Sequence, residues 1–191
     1  LSVVNQSKTL ISGTVDPHGT GIENIRIAAD TGLAQGAYYI NIEQTIEASS
    51  VIASGANISA VADITESELS DGTYILEVAD DNKLTLYRDN AGTKEAVGTG
   101  IAIEDLTEET SVTFEGVEFT IDRDNLEIGD YLVFTQNTTY TASLHGSDRE
   151  RIGSGVEVAG GQTGIVVGDT ASGEVVRFDI GDTIAAGEAT F

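Results

Sequence analysis

The pattern Leu-x-x-Gly-x-Tyr occurs three times in this chain, each time leading into alternating apolar residues. It is found as Leu33-Ala-Gln-Gly36-Ala-Tyr38-Tyr-Ile40-Asn-Ile42, as Leu69-Ser-Asp-Gly72-Thr-Tyr74-Ile-Leu76-Glu-Val78, and as Leu126-Glu-Ile-Gly129-Asp-Tyr131-Leu-Val133. A weaker echo, Ile184-Ala-Ala-Gly187-Glu-Ala-Thr-Phe191, closes the chain. Glycine gives a turn access to positive φ, and a period-two run after it places one apolar face of a strand against a core. Each copy therefore predicts a turn that leads into a strand with a buried face, on which Tyr38, Ile40 and Ile42, or Tyr74, Leu76 and Val78, point inward.

A tyrosine just past such a turn can bury its ring while its hydroxyl bonds back to the turn backbone, as in the tyrosine corner of immunoglobulin-like sandwiches. The copy at Leu69 to Val78 fits that arrangement best. The pattern speaks for β-structure and carries no chemistry of its own.

Around the three phrases the chain reads as short strands with turn signals every eight to twelve residues. Strands are expected at Lys8 to Val15, at Ile22-Glu-Asn-Ile25-Arg-Ile27 and through Glu43 to Ile52, where β-branched Thr45, Ile46, Val51 and Ile52 outweigh a helical reading. Hairpins are expected at Thr73 to Arg88, turning at Asp80-Asp-Asn82, and at Ser111 to Ile121, turning at Glu115-Gly116, with a further turn at Asp89 to Gly92. Thr65-Glu-Ser-Glu68 has the form of a capping box, which predicts a single helical turn with Thr65 as its N-cap. Two last strands are expected at Ile165-Val-Val167 and Val175 to Ile180, after a glycine-rich segment from Gly153 to Gly164. The expected fold is all-β: two small antiparallel β-sandwich or barrel-like subdomains with very little helix. One is expected from residues 1–55 plus 137–191, and a hairpin-rich second, residues 56–136, is inserted into it.

Composition narrows the function. Against 9 basic residues stand 32 acidic ones, a formal charge of −23. That field repels phosphate backbones and anionic headgroups, so nucleic acid is a poor partner and membrane insertion is not expected. Cysteine is absent, which removes disulfides, thiolate catalysis and zinc–cysteine sites together and suits a secreted assembly protein. The chain starts at Leu1 without methionine, and the expectation is a piece of a longer protein whose export signal or anchor lies outside it.

Candidate chemistry is sparse. His18 and His145 are each set in a glycine-flanked loop, and two histidines are too few for a histidine-based metal site. Asp122-Arg-Asp124-Asn125-Leu-Glu127-Ile-Gly129-Asp130 departs from calcium-loop register at Leu126, so it and Asp80-Asp81-Asn82 read as turns. Gly153-Ser-Gly155 and Gly160-Gly-Gln-Thr-Gly164 lack a Walker lysine and open no helix. Asn5-Gln-Ser7, Asn57-Ile-Ser59 and Asn137-Thr-Thr139 match glycosylation sequons. No catalytic, cofactor-binding or metal residue is assigned, and no enzyme activity or cofactor is expected.

Extended to Ser49, the first phrase reads Ala34-Gln-Gly36-Ala-Tyr38-Tyr-Ile40-Asn-Ile42-Glu-Gln44-Thr-Ile-Glu-Ala48-Ser. It resembles the A-x-G-x-Y-x-I-x-V-x-Q-L-A-x-A stretch with which the outer β-domains of the bacterial flagellar filament cap protein, hook-associated protein 2, begin. Gly36, Tyr38, Ile40, Ile42, Gln44 and Ala48 match, whereas Thr45 and Ile46 replace the usual leucine and alanine. Val112-Thr-Phe114-Glu-Gly116-Val-Glu-Phe119-Thr-Ile121, with Ile128-Gly-Asp130-Tyr-Leu-Val-Phe134, is similar to outer domains of other hook-associated proteins. The resemblance implies structural outer domains of a secreted flagellar axial or cap protein, extracellular and non-catalytic. Its implied partners are other axial subunits or copies of itself, with a homo-oligomer expected in the full-length protein. The competing expectation is an Ig-like or β-sandwich module of an adhesin, S-layer or phage tail protein that binds a surface or carbohydrate.

Overall fold

The structure, a computed structural model, describes residues 19–27, 31–54, 57–106 and 110–191, without the side chain of Ser50. His18, Asn5 and the strand expected at Lys8 to Val15 lie outside the described residues. The fold is all-β and antiparallel. Among the described residues, the only helical pieces are two 3-10 turns, Ile103–Asp105 and Arg123–Asn125.

Two compact units divide the chain. One takes residues up to Gln44 together with Thr139–Phe191, and the other takes Thr45–Thr138. Strands β2 (Tyr39–Ser54) and β9 (Tyr131–His145) each contribute residues to both.

In the unit of residues 45–138, β3 (Ile58–Asp63), β8 (Val117–Ile121) and β7 (Ser111–Phe114) form a three-stranded sheet in the order β3-β8-β7. The first half of β9, β4 (Gly72–Val78), β5 (Lys83–Asn90) and β6 (Thr93–Ala102) form a second sheet in that order, with β2 also pairing β9. Apolar faces of both sheets meet in one core: Tyr74, Leu76, Leu84, Leu86, Leu132 and Phe134 on one side, and Ile58, Val117, Phe119 and Ile121 on the other. Phe119 stands edge-on to Phe134 with centroids 5.5 Å apart, and Phe134 stacks on Tyr74 at 5.5 Å. The arrangement is a β-sandwich in which each fully buried side chain of this size contributes about 1.5–3 kcal/mol.

Local chemistry sets its hairpins. Asn82 takes φ 62° in the β4–β5 turn, Ala91 and Gly92 take φ 51° and 91° in the β5–β6 turn, and Glu115 and Gly116 take φ 46° and 77° in the β7–β8 turn. Two consecutive positive φ values give the turn whose twist matches paired strands. Gly116 is required twice over, because a β-carbon there would lie 1.9 Å from the carbonyl oxygen of Glu66. The helical turn expected at Thr65 does not form. Asp63 instead accepts the Thr65 N–H and hydroxyl, both at 2.8 Å, in an aspartate turn that starts two residues earlier in the chain.

The other unit orders β1 (Ile22–Arg26), β12 (Glu174–Ile180), β11 (Ile165–Asp169), β10 (Arg151–Val158) and the second half of β9 as antiparallel neighbours. The first residues of β2 pair with β13 (Gly187–Thr190). Ile22, Ile25, Ile40, Ile42, Leu144, Val167, Val176, Phe178 and Ala189 belong to its core. In β1 the inward residues are three apart, because the pairing slips between Glu23 and Arg26, with Asn24 at φ 50°. This β-bulge returns Ile25 to the face of Ile22. The glycine-rich stretch after Arg151 is a strand as well, and Gly153, at φ 70°, sits within its irregular pairing to β9.

The repeated phrases pair with one another. Leu69 to Val78 lies against Leu126 to Val133, with Leu76 opposite Leu132 and Glu77 opposite Tyr131. Leu33 to Ile42 lies against the closing echo, with Ile40 opposite Ala189 and Tyr38 exchanging both backbone hydrogen bonds with Phe191. Tyr131 of the third phrase faces outward. It is 37% exposed, whereas Leu132 and Phe134 are buried, because antiparallel partners share a face and Leu76 already points inward.

Candidate functional site

The two tyrosine corners have the same internal geometry. Tyr74 donates its hydroxyl to the Ser70 carbonyl at 2.7 Å, and Tyr38 donates to the Ala34 carbonyl at 2.8 Å. In each case the acceptor lies four residues back across the turn, although Gly36, unlike Gly72 at φ 156°, does not take a positive φ. In the third phrase the carbonyl four residues before Tyr131, that of Glu127, accepts the Asp130 N–H at 3.0 Å, and the Tyr131 side chain is exposed.

The acidic loop Asp122 to Asp130 is bound up with its own backbone and neighbours. Asp130 accepts from the Glu127 N–H and from Asn57 Nδ2, each at 2.9 Å, and Asp122 accepts from Asn125 Nδ2 at 2.9 Å. Asp80 and Asp81 lie in the β4–β5 turn, with Asp81 3.2 Å from Lys83 Nζ. Among the described residues, no group of three or more histidines and carboxylates is placed to hold a metal ion.

His145 ends β9 and locks the following loop. Its Nδ1 lies 3.1 Å from the Arg149 carbonyl oxygen, and its Nε2 lies 2.9 Å from Ser143 Oγ. Ser143 is buried, and its hydroxyl is spent on that contact. Arg149 itself reaches Glu188 at 2.7 Å and lies over the Tyr39 ring. The sequence singled out His145 alone, because the pairing with Ser143 becomes visible only when both are known to lie on one strand.

The glycine-rich loop does cradle an anion, but the anion is a side chain of the protein. Gly164 N–H donates to Asp179 Oδ1 at 2.8 Å, while Asn24 and Arg26 reach Oδ2 at 3.0 and 2.9 Å. Asp179 is only 8% exposed, and these donors hold its carboxyl below the ordinary 3.8, the Gly164 N–H first and then Asn24 and Arg26, against the opposing effect of desolvation. Sequence reasoning missed this cluster, because Asn24 and Arg26 lie more than 150 residues from Asp179 along the chain. Of the sequon residues, Asn57 is tied to Asp130, and Asn137 donates to Ser49 Oγ at 2.8 Å.

What faces outward is apolar in a few places. Among the described residues, Val51, Ile52, Ile128, Tyr131 and Val156 are the large apolar side chains left exposed. Val51 and Ile52 are adjacent on β2, which makes the end of that strand the candidate contact surface. No known protein family, curated protein or solved structure matches the chain.

Proposed function

We propose that the chain is a non-catalytic structural part of a secreted bacterial surface assembly, corresponding to outer β-domains of a flagellar axial or filament-cap protein. The observation that carries this reading is how the stretch Ala34 to Ser49 is used. Tyr38 closes its turn on Ala34, Ile40 and Ile42 enter the core of one unit, and Ala48 packs against the core of the other. The residues that resemble the cap family therefore serve as scaffold, which is what an assembly subunit asks of them. A charge of −23 supports the same reading, since it keeps a secreted subunit dispersed until specific surfaces meet.

A second reading, a β-sandwich module of an adhesin, S-layer or phage tail protein, draws on the corner at Tyr74 inside a two-sheet sandwich. Immunogold electron microscopy with antibodies raised against the purified chain separates the two. Gold at filament tips or hook junctions is the expected result. Uniform labelling of the envelope transfers the case to the adhesin or S-layer reading, and gold confined to the cytoplasm sinks both.

A further inference from the structure

Residues that oppose one another on antiparallel strands share a face, with β-carbons about 5 Å apart, and like charges so placed destabilise a sheet. The register puts carboxylates in that position at Asp63 of β3 against Glu118 of β8, at Asp169 of β11 against Glu174 of β12, and at Glu23 of β1 against Asp179 of β12. The three pairs are not equivalent. Arg26 Nη2 lies 2.9 Å from Asp179 Oδ2, so that pair has a countercharge of its own. Among the described residues, no lysine or arginine forms an ion pair with Asp63, Glu118, Asp169 or Glu174.

Protonation does not relieve these two pairs near neutral pH. Asp63 accepts the N–H and hydroxyl of Thr65, and Asp169 accepts the Ala171 N–H at 2.9 Å, and such donors favour the charged carboxylate. Glu118 alternates with the inward Val117 and Phe119 on the middle strand of its sheet, so its carboxylate faces outward beside that of Asp63. Glu174 accepts from Ser172 Oγ at 2.8 Å, next to the turn that joins β11 to β12. Relief must then come from ions in solution. The screening length falls from about 30 Å at 0.01 M salt to about 3 Å at 1 M, so carboxylates this close repel in dilute buffer and scarcely at all in strong salt.

We infer that the fold is stabilised by ionic strength, and that Asp63 with Glu118, and Asp169 with Glu174, are the points at which salt acts on it. One pair opposes the joining of β3 to its sheet, and the other opposes the closing of the β11–β12 hairpin. The net charge of −23 adds a diffuse repulsion that no single substitution removes. This inference stands apart from the assembly reading, since an axial subunit and an adhesin module could both carry it.

Thermal unfolding of the purified chain at pH 7, in 0.01 M and in 1 M NaCl, tests it. The wild-type Tm should rise with salt. Glu118→Gln and Glu174→Gln should each raise Tm in 0.01 M NaCl by about 1–3 °C and leave it within about 1 °C of wild type in 1 M NaCl. Glu118→Lys, which sets opposite charges across the β3–β8 ladder, should raise the low-salt Tm further than Glu118→Gln does. Glu157→Gln removes the same charge from an exposed position opposite Thr141 and should leave Tm within about 1 °C of wild type at both salt concentrations. A variant of either pair that gains nothing in 0.01 M NaCl, a gain that persists undiminished in 1 M NaCl, or an equal gain from Glu157→Gln would overturn the assignment.

Discussion

The Tyr74 hydroxyl donates to the Ser70 carbonyl at 2.7 Å while its ring, 1% exposed, stacks on Phe134. One side chain thus fixes the turn that starts β4 and fills the centre of a sandwich. The corner at Tyr38 makes the same bond from a half-buried position, stacked on Phe191 at 6.2 Å.

Removing only the hydroxyl separates these two roles. Tyr74→Phe should lose about 1 kcal/mol, the typical net worth of one hydrogen bond, because the exposed Ser70 carbonyl regains water. Tyr74→Ala should lose about 3–5 kcal/mol through the cavity it opens beside Phe134. Tyr38→Phe should cost less than Tyr74→Phe. Urea denaturation of the three variants checks the order, and an equal loss for Tyr74→Phe and Tyr74→Ala would contradict it.

Gly116 tests the packing of the β7–β8 tip. Gly116→Ala combines an alanine at φ 77° with a β-carbon 1.9 Å from the Glu66 oxygen, and about 2–4 kcal/mol should be lost. Gly92→Ala, at φ 91° with open space around it, should cost only about 1 kcal/mol. Thermal melts of the pair tell clash from strain.

Asp179 gives the fold an acid limit. Its folded-state pKa is lowered, so it contributes stability above the ordinary carboxylate range, and that contribution is lost as pH falls through the lowered value. Asp63 and Asp169 shift the same way, chiefly through the N–H groups of Thr65 and Ala171. Stability should therefore be level from neutral pH to about pH 5 and decline below about pH 4. Asp179→Asn should be less stable at neutral pH and show a shallower acid decline. Denaturation curves taken at intervals from pH 7 to pH 2 would expose a slope identical to wild type, which would contradict the role given to this carboxyl.

Much of the architecture was legible because local rules govern it. Period-two apolar runs placed Ile40, Ile42, Leu76 and Val78 in cores, and turn residues marked the hairpins at Asn82, Gly92 and Gly116. The same rules misplaced the turn at Thr65, where the neighbouring Asp63 decided the outcome.

By itself, then, the sequence determined that this protein is built of antiparallel strands launched from glycine turns, since alternation and turn chemistry act within a few residues. Tertiary structure alone decided that the phrases pair two by two, that Asp179 gathers Asn24, Arg26 and Gly164, and that the end of β2 is left bare. Those outcomes depend on which distant strands come to lie side by side, and no local pattern of residues encodes that choice.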